Sequence, residues 1–278
     1  MTILRLIGIG DSVVDYYQDQ GKMYPGGNAL NVAVFTKRCG AERAAYLGIV
    51  GQDKAGSHVI NSLGHEGIEI ARVRLVQAPT GVATVSIKED GDRVFVTSNK
   101  LTRAQSMLAL KLNPDDIEYI QQFDVIHTSI NSDIEHELQK IAHRPISFDF
   151  STHNRWDREY LGRVCPSLTY AFFSGSEMSL SEINDLIDYV HKLGVQVIGV
   201  TRGAQPAIFS ENKRVYQQNP KPIKVVDTMG AGDSFIGAFL THYYQTEDIH
   251  VSLDRAASFA SEVCQYYGAF GYGADVTG

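Results

Sequence analysis

The run Val226-Asp227-Thr228-Met229-Gly230-Ala231-Gly232-Asp233-Ser234-Phe235 concentrates the chemistry of this chain. Apolar Ile223, Val225 and Val226 precede it, and an apolar stretch from Phe235 to Tyr244 follows. That pattern reads as a chain entering a Gly-rich turn and leaving as a helix over 234–244. Gly230 and Gly232 carry no Cβ, so a ligand can approach the backbone closely there. The first N–H groups of a helix have no internal partners and form a seat for an anion. Asp233 sets a carboxylate beside that seat. Such a carboxylate repels a phosphate at rest, but it suits a reaction in which a hydroxyl gives up a proton as a phosphoryl group arrives. The competing reading makes Asp233 a helix cap and the glycines a loop shape. No Walker A pattern, G-x-x-x-x-G-K-[ST], is present.

Two more Gly-rich stretches carry polar groups. Gly8-Ile9-Gly10-Asp11-Ser12-Val13-Val14-Asp15 ends a first strand over 3–9. Its G-x-G start invites a dinucleotide reading, but Val13 stands where that fingerprint needs its third glycine. What remains is a strand end with Asp11 and Asp15, which either accept hydrogen bonds from sugar-like hydroxyls or cap a turn. Pro25-Gly26-Gly27-Asn28-Ala29-Leu30-Asn31 opens a helix over 29–35, with Asn28 as a candidate cap and Asn31 one turn in, able to reach a polar ligand. Phosphoryl transfer to an alcohol fits this set better than hydride transfer or hydrolysis. No Ser–His–Asp set follows from spacing, and His58, His127, His143 and His191 have no metal spacing and read as surface or satisfied structural residues. Trp156 reads as packing, with its loop position leaving ligand contact open.

Strands and helices alternate around these stretches. Strands are expected over 44–50, 125–128, 145–151, 168–173 and 195–201, and helices over 134–141, 180–193 and 253–267. One further helix follows the loop 51–56 and ends near Gly64, another starts at Asn113, and a late hairpin turns around Asn212. This calls for a largely parallel sheet with helices on both faces. From 73 to 96 the texture changes to strand, turn, strand, with Asp90-Gly91 as the turn pair. That hairpin reads either as an edge of the main sheet or, with 15–24, as a small lid over a ligand.

Composition narrows the class. The 278 residues suffice for one large core, and a formal charge of −7 argues against a broad nucleic-acid or anionic-membrane surface while allowing a locally basic pocket. Cys39, Cys165 and Cys264 give neither a metal spacing nor a disulfide framework, which points to a reducing, cytoplasmic compartment. The first residues do not form a signal peptide, and no run of 18 apolar residues is present.

The stretch Asp227-Thr228-Met229-Gly230-Ala231-Gly232-Asp233 resembles the D-T-x-G-A-G-D signature of the ribokinase-like PfkB sugar kinases. Gly26-Gly27-Asn28-Ala29-Leu30-Asn31 is similar to that family's G-G-x-x-x-N signature. The resemblance covers essentially the whole chain. It implies an α/β ribokinase-like fold over 1–278: a mostly parallel central sheet, helices on both faces, and a small β lid from about 15–24 and 73–97. It implies an ATP-dependent kinase with Asp233 as catalytic base and Gly230, Ala231 and Gly232 as the anion hole. It places the sugar at Asp15, Gly27 and Asn31, with Asp11 behind them, and Arg155 among the substrate contacts. It places the nucleotide at Thr201, Gly203 and Thr228 together with Gly230 and Gly232. Glu177 corresponds to an acid that organises Mg²⁺ through water, and Asp227 to a monovalent-cation (K⁺) or adenine-side residue. One departure stands out: Ser174 replaces the asparagine of the family's N-x-x-E element. Stretches 10–15, 26–34 and 148–157 are similar to the fructoselysine 6-kinase subgroup, which implies a sugar-amine acceptor phosphorylated at its 6-hydroxyl. Another sugar or a nucleoside as acceptor, and a non-catalytic sugar-binding role, are the alternatives. The resemblance also makes a homodimer plausible.

Overall fold

The structure is a computed structural model that describes residues 3–87 and 93–276. The first half runs β1 (Arg5–Gly10), β2 (Val13–Tyr17), β3 (Lys22–Gly26), α1 (Asn28–Arg38), β4 (Arg43–Gly51), α2 (Lys54–His65), β5 (Arg74–Val76), β6 (Gly81–Ile87), β7 (Arg93–Ser98), α3 (Ala104–Met107), α4 (Pro114–Ile120) and β8 (Val125–Ser129). The second half runs α5 (Leu138–Ile141), β9 (Ile146–Thr152), α6 (Arg158–Val164), β10 (Tyr170–Ser174), α7 (Leu180–Lys192), β11 (Val197–Arg202), β12 (Gln205–Glu211), β13 (Arg214–Gln218), α8 (Ala231–Thr246), α9 (Ile249–Val263) and β14 (Ala274–Asp275).

The main sheet has the order β13-β12-β11-β10-β9-β8-β1-β4-β5. It is parallel from β11 to β5, and β12 and β13 complete one edge antiparallel. Its central strands are apolar on both faces, as a sheet covered on both sides requires. In β1, Ile7 and Ile9 join a core with Phe123 beyond α4 and with Leu161 of α6 and Ile187 of α7. Leu6 faces the opposite side, with Val32 of α1, Phe239 of α8 and Leu253 of α9. The winding reverses beside β1: the chain goes out through β4 and β5 on one side and returns through β8, β9, β10 and β11 on the other. Ligands of such sheets bind outside the carboxyl ends of the strands at that reversal.

A second sheet, β14-β3-β2-β6-β7, stands apart from the first. The alternation over 80–87 and 94–97 therefore belongs to a separate sheet and not to an edge of the main one. Val14, Tyr17, Met23, Tyr24 and Val85 bury one face of it against α1 and α2. Two expectations need correction. The segment 73–97 is not one hairpin, because β5 pairs in parallel with β4 and leaves the small sheet to begin at Gly81. Asn28 does not cap α1; Gly27 holds that position at φ 112°, and the Asn28 side chain turns elsewhere. The expected Asp90-Gly91 turn lies outside the described residues.

Several helix ends differ from expectation for identifiable reasons. The last helix stops at Val263 because the Cys264 carbonyl accepts the backbone N–H groups of Val226 (2.9 Å) and Asp227 (3.3 Å). Asp248 starts it four residues before the apolar periodicity does, by capping the N–H groups of His250 and Val251. The short helix α6, capped by Asp157, and the two-residue strand β14 carry too little periodicity to be read from sequence.

Candidate active site

The carboxyl ends of the parallel strands open onto one cleft of about 1270 Å³ between the two sheets. Asp11 follows β1, Asn131 follows β8, Asp149 and Ser151 lie near the end of β9, Ser174 ends β10, and Thr201 lies at the end of β11; all line it. Asp15 reaches the cleft from β2 and Phe95 from β7, so the small sheet forms part of its wall.

The turn into α8 enters this cleft at its middle. Gly230 caps the helix in the left-handed region at φ 74°, and a Cβ there would lie 2.7 Å from that of Ala269. Only glycine fits both demands. Gly232 in the first turn is exposed, and a Cβ on it would meet no atom within 4 Å. The helix thus presents its N-terminal dipole to the cleft, as an anion site requires, while the Ala231 N–H donates to the Thr228 carbonyl at 3.2 Å.

Asp227 holds the turn in place. It is fully buried, and its carboxylate accepts from Tyr17 Oη (2.5 Å), Met229 N (2.9 Å) and Gly268 N (2.9 Å). These three donors orient the carboxylate at the start of the turn. Asp227 is thus a structural anchor of the turn.

Asp233 is not the helix cap. It sits half-buried in the first turn of α8, with Gly230 as cap. Its Oδ1 accepts from Asn28 Nδ2 and its Oδ2 from Asn31 Nδ2, both at 2.7 Å. Two side-chain amides from one helix, one on each oxygen, set the plane of this carboxylate. Asn31 is 3% exposed, and its Oδ1 has no protein partner, which leaves a buried acceptor at the cleft. A donor such as a sugar hydroxyl would satisfy it.

The other expected residues divide into two ends of the cleft. Asp11, Asp15, Gly27 and Arg155 lie at the end formed by β1, β2 and α1. Asp11 accepts from the backbone N of Asn28 (2.7 Å) and Ala29 (3.2 Å) and from Ser129 Oγ (3.1 Å) and Ser132 Oγ (2.9 Å). It fixes the start of α1 from the cleft wall. Asp15 is 4% exposed at the cleft wall. Arg155 is exposed and donates to Asn131 Oδ1 at 2.9 Å. Thr201, Gly203 and Thr228 lie at the other end, near the 218–222 segment and Cys264. Glu177 is exposed and lies outside the cleft lining, three residues beyond Ser174, which is in it.

Two residues of the site carried no assigned role in the sequence reading. Asp149 accepts from Asn28 Nδ2 (2.7 Å) and from Ser151 N (2.8 Å). Burial, followed by the nearby charge of Asp233, pushes it up to about 7. A lone acid between Phe148 and Phe150 at a strand end is the signal that marks it. His127, expected to be surface or structural, is fully buried in β8 and held between Asn28 Oδ1 (2.9 Å) and Ser147 Oγ (2.9 Å). Burial pushes it down to about 3, so it is neutral. Trp156 packs on Phe173, as its default reading had it.

Known proteins agree with this architecture. The family described as pfkB family carbohydrate kinase matches residues 2–271. Fructosamine kinase FrlD of Bacillus subtilis is 48% identical over 97% of this chain and 94% of its own length. Fructoselysine 6-kinase of Escherichia coli is 30% identical over 95% of this chain and 99% of its own. Among solved structures, fructokinase with bound ATP from Xylella fastidiosa superimposes with a TM-score of 0.79 at 19% identity, over 96% of this chain and 94% of that one.

Proposed function

The chain belongs to the pfkB family of carbohydrate kinases, and from that premise we propose that it transfers the γ-phosphoryl group of ATP to the 6-hydroxyl of a fructosamine such as fructoselysine. The observation that carries the chemistry is the placement of Asp233: a carboxylate oriented by two amides, one turn into a helix whose N-terminus opens on the cleft. The relatives named for fructosamine and fructoselysine support the acceptor.

In this reading Asp233 takes the proton of the 6-hydroxyl while its oxygen bonds to the γ-phosphorus. The bond from that phosphorus to the β–γ bridging oxygen breaks, and ADP leaves with those electrons. Gly230, Ala231 and Gly232 hold the transferring group through backbone N–H groups. Asn31 Oδ1 and Asp15 accept hydroxyls of the sugar beside Gly27, Asp11 keeps α1 in register behind them, and Arg155 stands at the mouth. Thr201, Gly203 and Thr228 flank the nucleotide.

Mg²⁺ bound with ATP would neutralise phosphate charge. The donor set fits a metal held mainly by the nucleotide, since Mg²⁺ keeps waters and commonly takes one or two carboxylates beside phosphates. Glu177 is the acid that would reach such waters, and Ser174, in place of asparagine, lines the adjoining wall. The reading treats 1–278 as one domain in the cytoplasm, with the small sheet closing as a lid over the sugar and a homodimer as its assembly. The partners are thus a sugar-amine and ATP, without nucleic acid or membrane; no helix among the described residues is long and apolar enough to cross a membrane. Incubation with ATP, Mg²⁺ and fructoselysine, with ADP release followed, tests it; no release at any acceptor concentration contradicts it.

A further inference from the structure

A line of polar contacts runs from Asp233 into the sheet, and transfer as described above makes no use of it. Asn28 Nδ2 donates one hydrogen to Asp233 Oδ1 and the other to Asp149 Oδ2, each at 2.7 Å. With both amide hydrogens on carboxylates, Oδ1 faces His127 Nε2 at 2.9 Å and accepts from it. Nε2 is then the protonated nitrogen, and Nδ1 accepts from Ser147 Oγ at 2.9 Å. His127 and Ser147 are both fully buried, so this tautomer is locked. Asn28 lines the cleft but keeps no hydrogen to offer a substrate.

We propose that Asn28 and Asp149 are positioning residues for Asp233: Asn28 holds the base carboxylate in plane and favours its ionised form, while Asp149 opposes that by setting a second negative charge on the same amide. The proposal rests on Asp233 being the base. A donated hydrogen bond favours the charged form of a carboxylate, and a like charge disfavours it. The coupling between two charges is mutual. The Asp233 charge raises Asp149, so ionised Asp149 strengthens the hold of Asp233 on a proton. Two amides alone would leave Asp233 a weak base for an alcohol; the second carboxylate restores its strength. The other charged side chains lining the cleft are Asp11 and Asp15, and the cations Lys100, Arg103, Arg155, Arg202 and Lys221. All are common to the variants below, so their fields cancel in the comparison.

The test is the pH dependence of kcat/KM for fructoselysine at saturating ATP in the native protein, Asn28→Ala and Asp149→Asn, with Asp233→Asn alongside. Asp149→Asn removes the charge but has one oxygen, so either Asn28 Nδ2 or Ser151 N loses its acceptor. In Asn28→Ala the acid limb moves up by about one pH unit and kcat falls about 10- to 100-fold, while ATP affinity holds. Burial holds Asp149 neutral below about pH 7, so the acid limb of Asp149→Asn stays at its native position; this variant instead loses the further rise in kcat/KM through about pH 7 that ionisation of Asp149 gives the native protein. An unmoved acid limb in Asn28→Ala, or a rise through about pH 7 that persists in Asp149→Asn, overturns the proposal. If Asn28→Ala does not fold, the rise through about pH 7 in Asp149→Asn decides alone. Native turnover in Asp233→Asn overturns the base reading and the proposal with it. An inactive Asp233→Asn beside an unmoved limb in Asn28→Ala or a persisting rise in Asp149→Asn overturns the positioning role only.

Discussion

Asp233→Asn removes one proton acceptor and changes almost nothing else in volume. In the native site both carboxylate oxygens of Asp233 accept amide hydrogens, from Asn28 and Asn31 at 2.7 Å. An asparagine at 233 has one oxygen, so one of these contacts must become an amine facing an amine. Asn28 cannot turn, because His127 and Asp149 hold its oxygen and nitrogen in place. Asn31 can turn, because its Oδ1 has no other protein partner. The new oxygen therefore stays with Asn28, and the Asn31 amide flips. Two charge-assisted bonds become neutral ones, a loss of about 1 kcal/mol each. The loss of like-charge repulsion with Asp149 offsets part of it, so the melting temperature stays within a few degrees of native. Catalysis changes far more. Removal of a general base typically costs about 10²- to 10⁴-fold in rate, or about 3–5 kcal/mol in the barrier. Single-turnover ADP formation measures kcat, and calorimetric ATP binding checks that the anion seat survives. A kcat within about tenfold of native, with ATP affinity unchanged, would refute the base assignment.

The two glycines of the same turn separate fold from function. Gly230→Ala forces a Cβ onto Ala269 at φ 74°, a strain of about 1–3 kcal/mol, and calorimetry should show melting several degrees lower. Gly232→Ala meets no neighbour within 4 Å and improves helix propensity by about 0.5–1 kcal/mol; it should melt at or above the native temperature yet lose turnover, because its methyl group stands in the phosphoryl space. Burial and the Asp233 charge raise Asp149 to about 7 in the folded state, above its unfolded value near 3.9. Its contribution to stability is complete below about pH 4 and is lost as pH rises through about 7; urea titrations should therefore show Asp149→Asn gaining on the native protein across that window, and a constant difference would contradict this. Closure of the small sheet predicts slower amide exchange in 81–87 and 93–98 when acceptor binds; unchanged exchange in both strands would remove its role as a lid.

The fold was legible where periodicity was strong. Strands such as Val195–Thr201 and helices such as Leu180–Leu193 are long apolar or amphipathic runs, and they fall within a few residues of their observed bounds. The main difference in topology was local: nothing in Val73–Val76 announces that three residues pair with β4 before the chain crosses to the second sheet. At the site, the glycines and Asp233 were legible because a close backbone approach and an anion seat each demand a residue type. The anchoring contacts of Asp227 were not, since nothing local in sequence announces donors from Tyr17 and Gly268. Asn28 looked like a cap because polar residues before helices usually are, and only the three-dimensional placement of Asp149, His127 and Asp233 around it shows its actual contacts. Asp149 and Asp233 are 84 positions apart in the chain, a separation over which no local pattern operates.

The central claim concerns the acceptor, and a side-by-side comparison addresses it most directly: fructoselysine, fructose, ribose and a nucleoside, each offered with ATP and Mg²⁺, with the phosphorylated position of any product read by NMR. Preferential transfer to fructoselysine, with phosphate on its 6-hydroxyl, is the predicted result. Preferential transfer to one of the other three, or phosphate at another position of fructoselysine, would contradict it.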